Sequence, residues 1–143
     1  MVKGLVWYTD GSRTAEGTGS GVYRQSANRR LSIHLGKHAT VFQAEVYAIL
    51  ACAHEIESHD WPEKYVSICS DSQAALKALQ AAKTTSPLVR QCQQALNDIY
   101  ARHAVRLYSV PGHAGVRGNE TADRLARSGL LGQNPFWGSL GRI

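Results

Sequence analysis

The hydrophobic pattern changes period along the chain, and each change marks an element. Leu5-Val6-Trp7-Tyr8-Thr9-Asp10 is rich in branched and aromatic residues and reads as a strand running into a Gly11-Ser12 turn. Side chains alternate along a strand, so Asp10 shares a face with Tyr8 and Val6 while Thr9, Trp7 and Leu5 take the other. A second, glycine-rich strand follows over Gly17 to Tyr23, and Arg29 to Gly36 alternates polar with apolar. Three such segments with short links predict an antiparallel meander. The Gly17-x-Gly19-x-Gly21 run lacks the spacing and following helix of a nucleotide-binding fingerprint. Its glycines suit a bulge or a close backbone approach beside the first strand.

The period then becomes helical. Thr40 to Ile56 contains no Gly or Pro and is apolar on most sides, which predicts a buried helix capped by Thr40. Lys64 to Asp71 reads as a strand, with a helix opening at once from Ser72. Pro87 starts a helix through Tyr100, whose stripe of Leu88, Cys92, Ala95, Leu96 and Ile99 is expected in the core. Ala104 to Val110 is the last strand. A loop from Pro111 to Gly118 carries His113, and Asn119 is expected to cap a final helix from Glu120 to Ser128, closed by Gly129. A strand, buried helix and strand in succession predict a crossover that makes the fourth strand parallel to a neighbour. The reading is one α/β domain over residues 1–129, with 130–143 a flexible tail on which Phe136 and Trp137 are able to dock back.

Composition narrows the class. An apolar share of 43% in 143 residues is that of an ordinary globular domain with a real core. The longest apolar run contains Glu45 and is too short for a bilayer, and Met1-Val2-Lys3-Gly4 does not read as a signal peptide. Cys52, Cys69 and Cys92 are odd in number and widely spaced, which argues against a disulfide framework and a zinc site and for a reducing intracellular setting, cytoplasm or nucleus. Sixteen Lys and Arg against eleven Asp and Glu leave a net charge of +5, and a basic domain of this kind suits a polyanionic partner such as nucleic acid.

Four acids stand out against that background: Asp10, Glu45, Asp71 and Asp123. Each has a plain alternative. Asp10-Gly11 is a common turn pair, Asp71 is well placed as a helix N-cap, and Glu45 is readable as a protonated or N-terminal helix acid. Glu45 is nonetheless an anomaly, since an unpaired charge one turn into an apolar helix is costly. If the four converge, like charges in one cleft cannot all stay ionised without divalent cations. An all-oxygen donor set suits Mg²⁺ or Mn²⁺ rather than zinc. A negative, metal-holding cleft in a positive surface is what phosphodiester cleavage needs, with two cations roughly 4 Å apart.

The blocks Tyr8-Thr9-Asp10-Gly11-Ser12, Gln43-Ala44-Glu45, Ser70-Asp71-Ser72-Gln73, Val110-Pro111-Gly112-His113-Ala114-Gly115 and Gly118-Asn119-Glu120-Thr121-Ala122-Asp123 resemble the type I ribonuclease H family in order and spacing, from about Leu5 to Gly129. Their wording is most similar to the ribonuclease H domains of non-LTR retrotransposon polyproteins. The resemblance implies an α/β ribonuclease H-like fold: a five-stranded mixed sheet, order 3-2-1-4-5, with helices on both faces. It implies cleavage of the RNA strand of an RNA–DNA hybrid with two Mg²⁺ (or Mn²⁺), leaving 5′-phosphate and 3′-hydroxyl ends. By the same resemblance Asp10 bridges both metals, Asp123 joins it on the nucleophile side, and Glu45 with Asp71 hold the leaving-group side. Glu45 would also touch the ribose 2′-hydroxyl that separates RNA from DNA. His113 falls on the family's loop histidine, which assists proton transfer or product release. Thr40 matches a phosphate-contacting position and Gln73 a groove-contacting one, and Gly11, Ser12 and Gln43 complete the expected substrate contacts.

The chain also departs from the pattern. Val41 and Phe42 stand where many members carry an Asn-Gln pair for minor-groove contacts, and Ser109 stands where a tryptophan is common. The interval from Asp71 to His113 is too short for the extra basic helix of cellular members, so Arg24, Arg29, Arg30, Lys37, Lys83 and Arg90 are left to share the grip or to be plain surface charges. The expected partners are an RNA–DNA hybrid and the remainder of a reverse transcriptase polyprotein, with no membrane, and the isolated domain is expected to be a monomer. The alternatives are a free-standing cellular ribonuclease H and a non-catalytic hybrid-binding module of the same fold.

Overall fold

The computed structural model describes residues 4–26, 29–112 and 116–128. His113 and the predicted tail, residues 130–143, lie outside the described residues. The elements run β1 (Leu5–Thr14), β2 (Gly17–Arg24), β3 (Arg29–Gly36), α1 (Val41–Glu57), β4 (Tyr65–Ser70), α2 (Gln73–Gln80), α3 (Pro87–Tyr100), β5 (Ala104–Ser109) and α4 (Arg117–Ser128). They form one five-stranded sheet in the order β3-β2-β1-β4-β5. The meander β1-β2-β3 is antiparallel, and β4 lies parallel to both β1 and β5. The expected mixed sheet and crossover are therefore present.

Alternation along the strands assigns the two faces. Ser20 on β2 donates to the Ala44 carbonyl of α1, whereas Gly19 and Gly21 lie hard against the α4 backbone at Ala126 and Ala122. Helix α1 accordingly covers one face, with α3 packed on it, and α4 covers the other. The core on the α1 side is built from Leu5, Trp7, Val22, Ile49, Leu50, Ile56, Ile68, Val89 and Ile99, all buried. Apolar burial of this kind is what holds the layers together. The three cysteines are buried and unpaired, Cys52 and Cys92 within this core.

One sequence expectation fails here and a second holds only in part, for one physical reason. Gly11-Ser12 is not a turn: β1 continues to Thr14, with Gly11 opposite Ser20 and Ser12 opposite Gly19. A Cβ on Gly11 would stand 2.5 Å from the Glu45 nitrogen and 2.8 Å from the Ala44 side chain, so this glycine admits helix α1 rather than turning the chain. The β2 glycines do accompany a register shift at Thr18/Gly19, but the close approach is to α4 across the sheet rather than to the neighbouring strand. Both signals came from glycine, whose missing Cβ serves a turn and a tight contact equally well.

The caps position α1 and α2. Thr40 caps α1 in a reciprocal box: its hydroxyl accepts from the Gln43 N–H at 3.0 Å while the Gln43 side chain accepts from the Thr40 N–H at 2.8 Å. Helix α2 is capped by Ser72, whose hydroxyl accepts from the Ala75 N–H at 3.1 Å. Asp71 is therefore not the cap, and its carboxylate is spared. Asn119 is not a cap either, since α4 begins at Arg117 and encloses it.

Candidate active site

The parallel pairing of β1 with β4 ends at Thr9 opposite Ser70. The next residue on each strand is an acid, Asp10 on β1 and Asp71 beyond β4, so register alone sets the two side by side. Glu45 reaches the same place from the first turns of α1, because Gly11 lets that helix sit against β1. Asp10, Glu45 and Asp71 each offer a carboxylate oxygen within 4.8 Å of the others. Asp123 comes from α4, on the face that Asp10 shares with Tyr8; Tyr8 packs against Gly118 of the same helix. Asp123 stands near enough to Asp10 to help raise its pKa.

Each acid is held by a neighbour. The Gly11 N–H donates to Asp10 Oδ1 at 2.9 Å. The Ser72 hydroxyl donates to Glu45 Oε1 at 2.7 Å. The Asn119 amide lies at hydrogen-bond limit, 3.5 Å, from Asp71 Oδ2, an oxygen that a Cβ at Gly112 would meet at 2.9 Å. Asp123 Oδ2 pairs with Arg127 Nη2 at 2.8 Å. Ser72, Asn119 and Arg127 were not singled out from the sequence. Asn119 and Arg127 were within reach of it, since they stand four residues either side of Asp123 and share its helix face.

Burial and mutual repulsion shift the Asp10 and Glu45 carboxyls. Asp10, only 6% exposed, has its pKa raised from 3.8 to about 8, first by burial, then by the Asp71 charge and by Asp123. Glu45 is raised too, again chiefly by burial and further by Asp71, against the lowering effect of the Ser72 bond. Carboxyls that cannot ionise together want a cation in their midst. The donor set fits a hard divalent ion, being all oxygen, clustered and partly screened from solvent. Glu45 is therefore shifted toward protonation and lies beside Asp10 and Asp71 in this cleft.

The expected substrate contacts are distributed around this cleft. Gly11 and Ser12 continue β1 past Asp10, and Thr40 and Gln43 bind each other at the start of α1. Gln73 donates to the Ser109 hydroxyl at 2.7 Å, so the position where a tryptophan is common instead anchors a glutamine. Val41 is 39% exposed while Phe42 packs on the core. Of the cations offered as a grip, Arg24 stacks on Trp61, Arg29 pairs with Glu55, and Arg90 donates to the Thr84 carbonyl. Lys37 and Lys83 are exposed.

A five-stranded mixed sheet that gathers carboxylates at the carboxyl end of a central parallel pair defines an α/β protein with a metal-competent acidic cleft. Comparison with protein families narrows this: the RNase H family model matches residues 2–131. The chain belongs to the RNase H family. Membership supports a nucleic-acid-binding hydrolase directed at RNA–DNA hybrids. Among the described residues no helix is long and apolar enough to cross a membrane.

Proposed function

We propose that the protein endonucleolytically hydrolyses the RNA strand of RNA–DNA hybrids, leaving 5′-phosphate and 3′-hydroxyl ends, as the ribonuclease H domain of a non-LTR retrotransposon reverse transcriptase polyprotein. The observation that carries this reading is the convergence of Asp10, Glu45 and Asp71, with Asp123 near enough to Asp10 to help raise its pKa. These four residues would hold two Mg²⁺ or Mn²⁺, Asp10 being shared, Asp123 on the nucleophile side, and Glu45 with Asp71 on the leaving-group side. When bound, the cations supply Lewis-acid activation of water and of the leaving oxygen.

The chain's own residues do the positioning. The Gly11 N–H and the Ser72 hydroxyl fix one oxygen each of Asp10 and Glu45. Glu45 is assigned the ribose 2′-hydroxyl, the group that tells the RNA strand from the DNA strand. Thr40 and Gln43 stand at a helix N-terminus, where backbone phosphate is favoured. Gln73, Gly11 and Ser12 are assigned the remaining substrate contacts. His113 is assigned proton transfer or product release on its motif alone. The retrotransposon context rests on the motif wording and on a compact grip: between β4 and β5 the chain forms α2 and α3 and no further helix.

Cleavage of a labelled hybrid tests the reading, with duplex RNA and duplex DNA beside it, for wild type and Asp10→Asn in Mg²⁺, Mn²⁺ and EDTA. The expected result is metal-dependent cutting of the hybrid's RNA strand alone, abolished in the variant. Hybrid binding without any cutting would overturn catalysis by this domain and favour a binding module.

A further inference from the structure

Asp123 differs from the other three acids in having a full counter-charge. Arg127, one turn further along α4, places Nη2 2.8 Å from Asp123 Oδ2, and the two side chains are 56% and 21% exposed. Asp10, Glu45 and Asp71 make up the group whose oxygens all lie within 4.8 Å; Asp123 stands beside that group rather than in it. One of its oxygens is already occupied by the guanidinium.

We infer that Arg127 is a positioning residue, a resident counter-cation that holds Asp123 in the free protein and must release it before that carboxylate can serve as a metal ligand. The inference rests on the proposed assignment of Asp123 to the metal site. Three features support it. Guanidinium and divalent cation would compete for the same oxygen, which cannot serve both at full strength. The pair is exposed enough to be screened, so it is weak and displaceable rather than a lock. The i, i+4 spacing keeps Arg127 beside the cleft after release, because both residues ride one helix face. Arg124 supplies an internal comparison: it carries the same charge on the same helix, yet donates to the Thr121 hydroxyl and not to Asp123.

Calorimetric titration of Mn²⁺ into the intact chain separates the possibilities, with Arg127→Ala, Arg127→Gln, Arg124→Ala, Asp123→Asn, the Asp123→Asn/Arg127→Ala double variant and Asp10→Asn. Loss of an exposed pair of this kind predicts about two- to fivefold tighter Mn²⁺ binding in both Arg127 variants. Arg124→Ala should change the affinity less than half as much, and Arg127→Ala should have no effect when Asp123 is already Asn. An equal effect of Arg124→Ala, or an Arg127 effect that persists in the Asp123→Asn background, would overturn the inference and leave the metal site intact. If wild type binds no Mn²⁺, or Asp10→Asn binds it equally well, the assignment of the site fails and the inference fails with it.

Discussion

Without divalent cations, the acidic cleft should make this protein less stable as pH rises. Asp10 has a folded-state pKa of about 8 against an ordinary 3.8, so the folded chain keeps a proton that the unfolded chain releases. The sign follows: below about pH 4 both states are protonated and the penalty is absent. Between there and pH 8 the unfolded state gains over the folded one. At about 1.4 kcal/mol per pH unit, the ceiling is about 6 kcal/mol. The Asp10 carboxyl is coupled to its neighbours and the cleft relaxes around it, so a loss of about 2–3 kcal/mol between pH 5 and pH 8 is the expected size. For a domain whose total stability is about 5–15 kcal/mol, that is readily measured. Urea unfolding in EDTA at pH 5, 6, 7 and 8, for wild type and Asp10→Asn, is the assay, with a parallel series in Mg²⁺. The wild-type slope should be negative, shallower in the variant, where the raised Glu45 carboxyl remains, and reduced by Mg²⁺. A flat wild-type curve in EDTA, or the same slope in Asp10→Asn, would refute the claim that crowded, buried carboxyls are held protonated.

Other perturbations follow from the same contacts. Ser72→Ala removes the α2 cap and the bond to Glu45 together; a loss of about 1–3 kcal/mol is expected in thermal melts. That bond lowers the Glu45 pKa, so in Ser72→Ala the acidic limb of the rate profile should move to higher pH; an unmoved limb would count against Glu45 in the reaction. Gly21→Ala would put a Cβ 2.1 Å from the Ala122 carbonyl oxygen and 2.6 Å from the Ala126 nitrogen, and should cost at least about 1–3 kcal/mol in urea. Gly36→Ala meets no atom within 4 Å but must adopt a φ of +87°, so about 1 kcal/mol from backbone strain alone is the expected loss. Hybrid affinity of the isolated domain should fall with salt on a shallow log–log slope, no steeper than about −5, because several of the basic residues are already engaged; a steeper slope in a binding titration would reveal a grip that these residues do not account for.

Local signals carried a great deal. The switch from period two to period 3.6 placed the helices and strands in their true order, although β1 runs four residues past its expected end and α4 starts three residues early; Thr40, Pro87 and the Leu88-to-Ile99 stripe took the roles their chemistry suggests. Helix period, capping and strand alternation are short-range properties, written in residues a few positions apart. The order of the acid-bearing blocks was legible for the same reason, and with it the family. The errors were local signals with two meanings. Gly11 looked like a turn and is a contact, Asn119 looked like a cap and is an interior amide against Asp71, and Asp71 looked like a cap that Ser72 turned out to supply.

What no local pattern holds is which side chains meet. Asp10 and Asp71 stand together because β1 pairs in parallel with β4 and the pairing stops at Thr9 and Ser70, a register set by burial on both faces of the sheet. Glu45 joins them because a missing Cβ at position 11 lets α1 close on β1. Asp123 arrives from the opposite face, brought by an α4 that rests on the β2 glycines and carries its own counter-ion in Arg127. The sequence by itself determined the elements, their order and the four acids. Convergence of those acids, the raised Asp10 pKa and the pairing of Asp123 were decided by tertiary structure, because proximity and desolvation come from contacts between residues far apart in the chain.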